Sequence, residues 1–130
     1  MTSTTEQQTA VHYEKDADGI VTLTLDDPTA SANTMNELYI DSMAAAVARL
    51  YDELAQDEGS ITGVVVTSAK KTFFSGGNLK LMVQAGPDDA QAIFDMGQLI
   101  KATLRRLELF PRPVVAAING AALGLSLIHI

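Results

Sequence analysis

An α/β fold is the architecture that this 130-residue sequence predicts. Three observations predict it. Runs with apolar residues at every second position alternate with longer runs of helical spacing. Two of the strand-like runs, GVVVTS and VVAAI, are almost continuously apolar, as in strands covered on both faces. Glycine, proline, Asp and Asn separate the runs, and a strand–helix–strand order implies right-handed crossovers onto one sheet.

The opening VHYEKDADGIVTLTL reads as a hairpin, with strands Val11–Lys15 and Ile20–Leu25 around a turn at residues 16–19. Val21, Leu23 and Leu25 alternate with Thr22 and Thr24, the mark of a half-buried strand. DDPTASAN then supplies turn residues, and Pro28 blocks continuation. Thr34 and Glu37 have the spacing of a capping box, so a helix is expected over residues 35–54. Met43, Val47, Leu50 and Leu54 form its buried face, and Gly59 and Ser60 stop it. GVVVTS is the next strand. AKKTFFSGGN leads from it into a short helix around residues 79–84, closed by Gly86 and Pro87. Asp88 or Asp89 caps a long helix reaching Leu109, with Ile93, Met96, Ile100, Leu104 and Leu107 on its buried stripe. FPRP ends that helix, and residues 114–118 form another buried strand.

Composition narrows the function classes. The chain is 47% hydrophobic and 19% charged, ordinary for one globular domain large enough to bury a core. Net charge is −7, and the nine Lys and Arg are scattered, which argues against a nucleic-acid partner. Without cysteine there is no disulfide, thiolate nucleophile or Cys-ligated metal. His12 and His129 lie at opposite ends, so no metal site is expected. MTSTTEQQTA has no basic or apolar segment of a signal peptide. Residues 1–10 are expected to be a disordered tail, and the protein cytoplasmic. Residues 113–130 carry no formal charge and approach the length of a membrane span. Asn119, Gly120, Gly124 and Ser126 interrupt that run, so no integral membrane segment is expected.

TFFSGGNLKLM is the most informative stretch. Gly76 and Gly77 lack Cβ, so the backbone can take unusual angles and a ligand can approach closely. The first N–H groups of a following helix have no intrahelical partner and carry partial positive charge. Such a turn suits an oxygen that becomes negative during reaction. From spacing alone, a turn that merely starts a helix is the favoured reading. A P-loop is a poor fit, because SGGNLK lacks the Gly-Lys-Ser/Thr ending.

FFSGGNLKLM resembles the first signature of the crotonase (enoyl-CoA hydratase/isomerase) superfamily, an aromatic residue before small-Gly-small-Asp/Asn-Leu/Ile-Lys. PRPVVAAINGAALG resembles its second signature, and the opening hairpin and DDPTASANTMN match in order. The resemblance spans residues 11–124 and implies a partial crotonase-like ββα spiral, truncated before its C-terminal half. DDPTASANTMNEL is most similar to the hydratase part of bifunctional fatty-acid oxidation proteins. It implies an acyl-CoA thioester substrate and no cofactor in this segment. NAD would serve only a fused 3-hydroxyacyl-CoA dehydrogenase part, and the parent would be oligomeric.

The resemblance also implies roles. Gly77 would give the first oxyanion N–H to the thioester oxygen. Gly76, Asn78, Leu79 and Lys80 would lie along the coenzyme A path, and Ser31, Ala32 and Asn33 in a loop that contacts it. Lys80 reads equally well as a solvated first-turn lysine, and residues 31–33 as plain turn chemistry. Asn78, where many hydratases carry Asp, keeps the size and hydrogen bonding without the charge.

The end departs from the pattern. After Leu-Gly the family continues with glycines and then an acid; here Leu125 stands at the second oxyanion donor and Ile128 at the glutamate. A second glutamate would fall beyond the last residue. LSLIHI is also what one frame of a transposon-end adapter encodes, so residues 125–130 are expected to be a non-native tail. Three readings follow: an inactive fragment of an enoyl-CoA hydratase, a non-catalytic acyl-CoA binding or assembly module, and, least favoured, a membrane-tethered protein.

Overall fold

The computed structural model describes residues 8–77 and 86–123. Its elements, in chain order, are β1 (Val11–Lys15), β2 (Ile20–Leu25), α1 (Glu37–Gln56), β3 (Gly63–Ser68), a 3-10 turn (Pro87–Asp89), α2 (Ala90–Glu108) and β4 (Val114–Ala116). The four strands form one sheet in the order β1-β2-β3-β4. The first pair is antiparallel, with Val11 opposite Leu25 and Lys15 opposite Val21. The next two pairs are parallel. The hairpin therefore stands where the sequence placed it. Its turn closes on Gly19 at φ 82, a conformation that side chains resist, and an added Cβ would meet the Ser60 carbonyl at 3.0 Å.

A sheet that grows in one direction by right-handed crossovers receives its helices on one face. The register agrees. Val21 pairs with Val64 and Leu23 with Val66, and all four side chains are buried beneath the helices. Thr22, Thr24, Val65 and Thr67 point to the other face and are half-exposed. Across the helical layer, Tyr39, Ile40 and Met43 of α1 and Ile100, Thr103 and Leu104 of α2 line a small gap between the two helices. The Tyr51 hydroxyl donates to the Arg106 carbonyl at 2.6 Å, and its ring packs edge-on to Phe110.

Four expectations are corrected. The α1 cap is Asn36 rather than the Thr34/Glu37 box: its side-chain oxygen accepts from Tyr39 N–H at 2.8 Å. Asn caps at least as well as Thr, and Met35 N–H is already engaged with the glycine loop. On α2, the inward stripe runs through Met96, Ile100, Thr103 and Leu107, whereas Ile93 and Leu104 are 47% and 42% exposed. A hydrophobic count passes over Thr103, which occupies the buried position, and marks Leu104 beside it. Asp89 begins α2 without a side-chain cap and instead accepts from Gly86 N–H at 2.9 Å. The final strand is three residues long, and Val115 is 57% exposed. β4 is an edge strand, and Val115 is in register with Val65 on the face away from the helices.

Ala10, inside the expected tail, is buried and bonded on both sides: its N–H donates to Ser42 Oγ and its carbonyl accepts from Asp26 N–H. Residues 1–7, the short helix expected around 79–84 and residues 125–130 lie outside the described residues. Among the described residues, no helix is long and apolar enough to cross a membrane.

Candidate functional site

At the carboxyl ends of β2 and β3 the chain makes two loops, residues 26–36 and 69–77, and the segment after β4 runs beside them. Parallel sheets gather such loops into ligand sites. Asn33 joins them. Its amide nitrogen donates to the carbonyls of Leu25 (3.2 Å) and Phe73 (3.3 Å) and to Ser68 Oγ (2.9 Å). Its amide oxygen accepts from Asp27 N–H at 3.0 Å. Asn33 is 2% exposed, so its side chain sets the loops in place, and Ser31 and Ala32 beside it present the accessible surface.

The glycine loop is built by hydrogen bonding on two sides. On one side Ser75 N–H donates to Asn33 O and Met35 N–H donates to Gly76 O, each at 2.8 Å. A regular parallel rung would have used the Ser75 carbonyl. Gly76 is the extra residue of a bulge, and its φ of 81 is the conformation that makes the insertion possible. Gly76 C=O faces residues 33–35, so across a trans peptide the Gly77 N–H points the opposite way. That is the side on which the second motif lies. Phe73 N–H donates to Ala121 O (2.9 Å), Leu123 N–H to Phe74 O (2.9 Å), and Phe74 bridges Ala122 in parallel.

The two motifs, far apart in sequence, are thus side by side. The Asn119 side chain donates to Ser68 O at 2.7 Å. Gly120 lies against the neighbouring turn, where an added Cβ would fall 2.2 Å from the Lys71 carbonyl. Beneath the loop, Phe74 is fully buried and meets the Tyr39 ring edge-on, with centroids 5.0 Å apart. Burial pushes the Tyr39 hydroxyl up to about 12, so it stays protonated.

Charge is concentrated in the other loop. Asp27 is buried, which by itself raises its pKa. Hydrogen bonds from the Thr29 hydroxyl and N–H and from Asn36, with the Lys70 charge nearby, more than offset burial and lower it below its ordinary value of 3.8. A carboxylate with a depressed folded-state pKa stabilises the fold above the unfolded pKa and loses that contribution as pH falls through the folded one. Amide protection across residues 27–36 is therefore expected to drop below about pH 4, and Asp27→Asn to flatten that drop. Hydrogen exchange against pH checks this. An equal acid-dependent loss in the variant would contradict it.

Asp27, Ser68 and Lys70 were not singled out in the sequence. The Asp-x-Thr spacing at residues 27–29, which here closes a side-chain turn, was the available signal. Asn78, Leu79, Lys80, Leu125 and Ile128 lie outside the described residues. Among those described, no group of three or more His, Asp or Glu could hold a metal.

A family profile described as "Enoyl-CoA hydratase/isomerase" matches residues 15–126. The chain belongs to the enoyl-CoA hydratase/isomerase family. Among curated relatives of this family segment, the fatty acid oxidation complex subunit alpha of Idiomarina loihiensis is 37% identical over 120 residues. That match takes in 91% of the chain and 16% of the relative. An enoyl-CoA hydratase structure from Shewanella pealeana superimposes with a TM-score of 0.71 at 18% identity, covering 91% of this chain and 42% of that one. One from Mycobacterium smegmatis gives 0.56 at 29% identity, covering 85% and 40%. The four strands and two helices are therefore part of the crotonase fold. The chain spans about a sixth of the curated relatives it matches and about two fifths of the solved hydratases.

Proposed function

We propose that this chain is the N-terminal part of an enoyl-CoA hydratase that adds water to trans-2-enoyl-CoA thioesters in fatty-acid β-oxidation. The observation that carries the reading is the Gly76 bulge, which turns the Gly77 N–H away from residues 33–35 and toward the side of the second motif. An N–H so placed can hold the thioester oxygen as it gains charge, when hydroxide adds to Cβ and before Cα takes its proton. A preorganised donor of that kind lowers the barrier because it needs no rearrangement as the charge appears.

The loop at Ser31, Ala32 and Asn33 and residues Gly76, Asn78, Leu79 and Lys80 would receive the coenzyme A portion. The second oxyanion donor falls at Leu125, whose side chain would intrude on the thioester, and one of the two water-activating glutamates falls at Ile128, which cannot move a proton. This 130-residue chain is accordingly proposed to be inactive by itself. The relatives' name, subunit alpha of a fatty acid oxidation complex, supports a parent that works within an assembly. A cytoplasmic location and a fused NAD-dependent dehydrogenase part are proposed from the family resemblance. Ile128 also favours a second reading, a module that binds acyl-CoA without transforming it. Hydration of crotonyl-CoA by the full-length parent, with its natural residues restored after Gly124 and turnover monitored as loss of enone absorbance, tests the first reading. Tight binding without turnover would support the second, and turnover of non-CoA esters alone would contradict both.

A further inference from the structure

We infer that Lys70 is a positioning residue that holds the tip of the loop at residues 26–33 against the coenzyme A portion of the substrate. The inference rests on the acyl-CoA reading above. The base of that loop is secured by Asn33 and Asp27, both buried. Its tip, Pro28 to Ser31, is exposed. Lys70 reaches it from the other site loop. Its ammonium donates to the Ala30 carbonyl at 2.8 Å and pairs with Asp26 Oδ1 at 3.3 Å. Its own N–H is fixed on Ser68 Oγ at 3.0 Å, which ties it to the Asn33 hub.

Lysine side chains are rarely withdrawn from water unless paired, and this one is only 13% exposed. The ammonium is engaged by the loop itself, so its effect on a ligand passes through the backbone beside Ser31 and Ala32. The glycine loop is held by bonds of its own, Met35 N–H to the Gly76 carbonyl and Ser75 N–H to the Asn33 carbonyl, so the reacting end should be insensitive to Lys70. A freed tip must be ordered by the substrate, and that cost falls on binding.

The test uses the full-length protein with two substrates, crotonyl-CoA and the crotonyl thioester of N-acetylcysteamine, which lacks the nucleotide and most of the pantetheine. Lys70→Met is expected to raise KM for crotonyl-CoA about tenfold, equivalent to about 1.4 kcal/mol. Its kcat should stay within about twofold, and its KM for the short thioester should not change. Lys70→Arg, which keeps charge and donors, should restore most of the KM. If Lys70→Met does not fold, Lys70→Gln is read in its place with the same expected pattern. A fall in kcat at constant KM, or an equal KM rise for both thioesters, would overturn the role of Lys70. Absence of crotonyl-CoA hydration by the unsubstituted protein would instead overturn the hydratase reading, and this inference with it.

Discussion

Replacing Gly77 by Val in the full-length protein is expected to lower kcat for crotonyl-CoA about 10²–10³-fold, the loss associated with one oxyanion donor. The backbone N–H would survive the substitution. What changes is the space in front of it. Gly76 occupies a bulge at φ 81, and the peptide that follows turns the Gly77 N–H away from residues 33–35, to the side on which the second motif lies. A β-branched side chain attached beside that N–H is stiff and stands where a thioester oxygen must come within hydrogen-bond distance. Gly77→Ala is expected to be mild, because the signature that this segment resembles accepts a small residue there. Steady-state kinetics of the two variants check the assignment. Near-normal kcat in Gly77→Val would remove Gly77 from the site.

The second large effect concerns the 130-residue chain itself, which is expected to show no measurable hydration of crotonyl-CoA. On the proposed mapping Leu125 falls at the second donor and Ile128 at a water-activating glutamate, and an isoleucine cannot transfer a proton. The same chain is expected to associate in solution. Phe94, Leu109, Ile118 and Leu123 are each at least half exposed, and β4 presents an unpaired strand edge among the described residues. Exposed apolar surface next to an open edge is a recognised route to aggregation. Sedimentation, near-UV dichroism and the hydration assay on this chain are the relevant measurements. A monodisperse, cooperatively melting chain that hydrates crotonyl-CoA would contradict both the missing-acid account and the exposed-surface account.

Much of this fold is legible in local pattern. Val21, Leu23 and Leu25 alternate because one face of β2 meets the helices, and the pairing register reproduces that alternation. Met43, Val47 and Leu50 are buried on α1 at helical spacing for the same reason. Burial that depends on more distant elements is not legible. VVAAI has the composition of a covered strand, yet its outward residues have nothing described packed against them. The site divides in the same way. Gly76 and Gly77 are picked out by the signature they resemble, since from spacing alone they read as a turn that merely starts a helix. Asn33 can be named from the motif, but its action through four hydrogen bonds spanning three segments needs the tertiary contacts. Lys70 carries no local signal, since any surface loop can hold a lysine.

In the proposed hydratase, the Gly77 N–H faces the oxygen on which negative charge develops. The most direct test is amide NMR of the full-length protein, selectively labelled with ¹⁵N-glycine, on addition of a β-ketoacyl-CoA whose enolate mimics that charge. The Gly77 amide proton is expected to move far downfield on binding, as in a charge-assisted hydrogen bond, while Gly19 and Gly59, distant from the loop, stay in place. Saturating binding that leaves the Gly77 resonance unmoved would contradict the account.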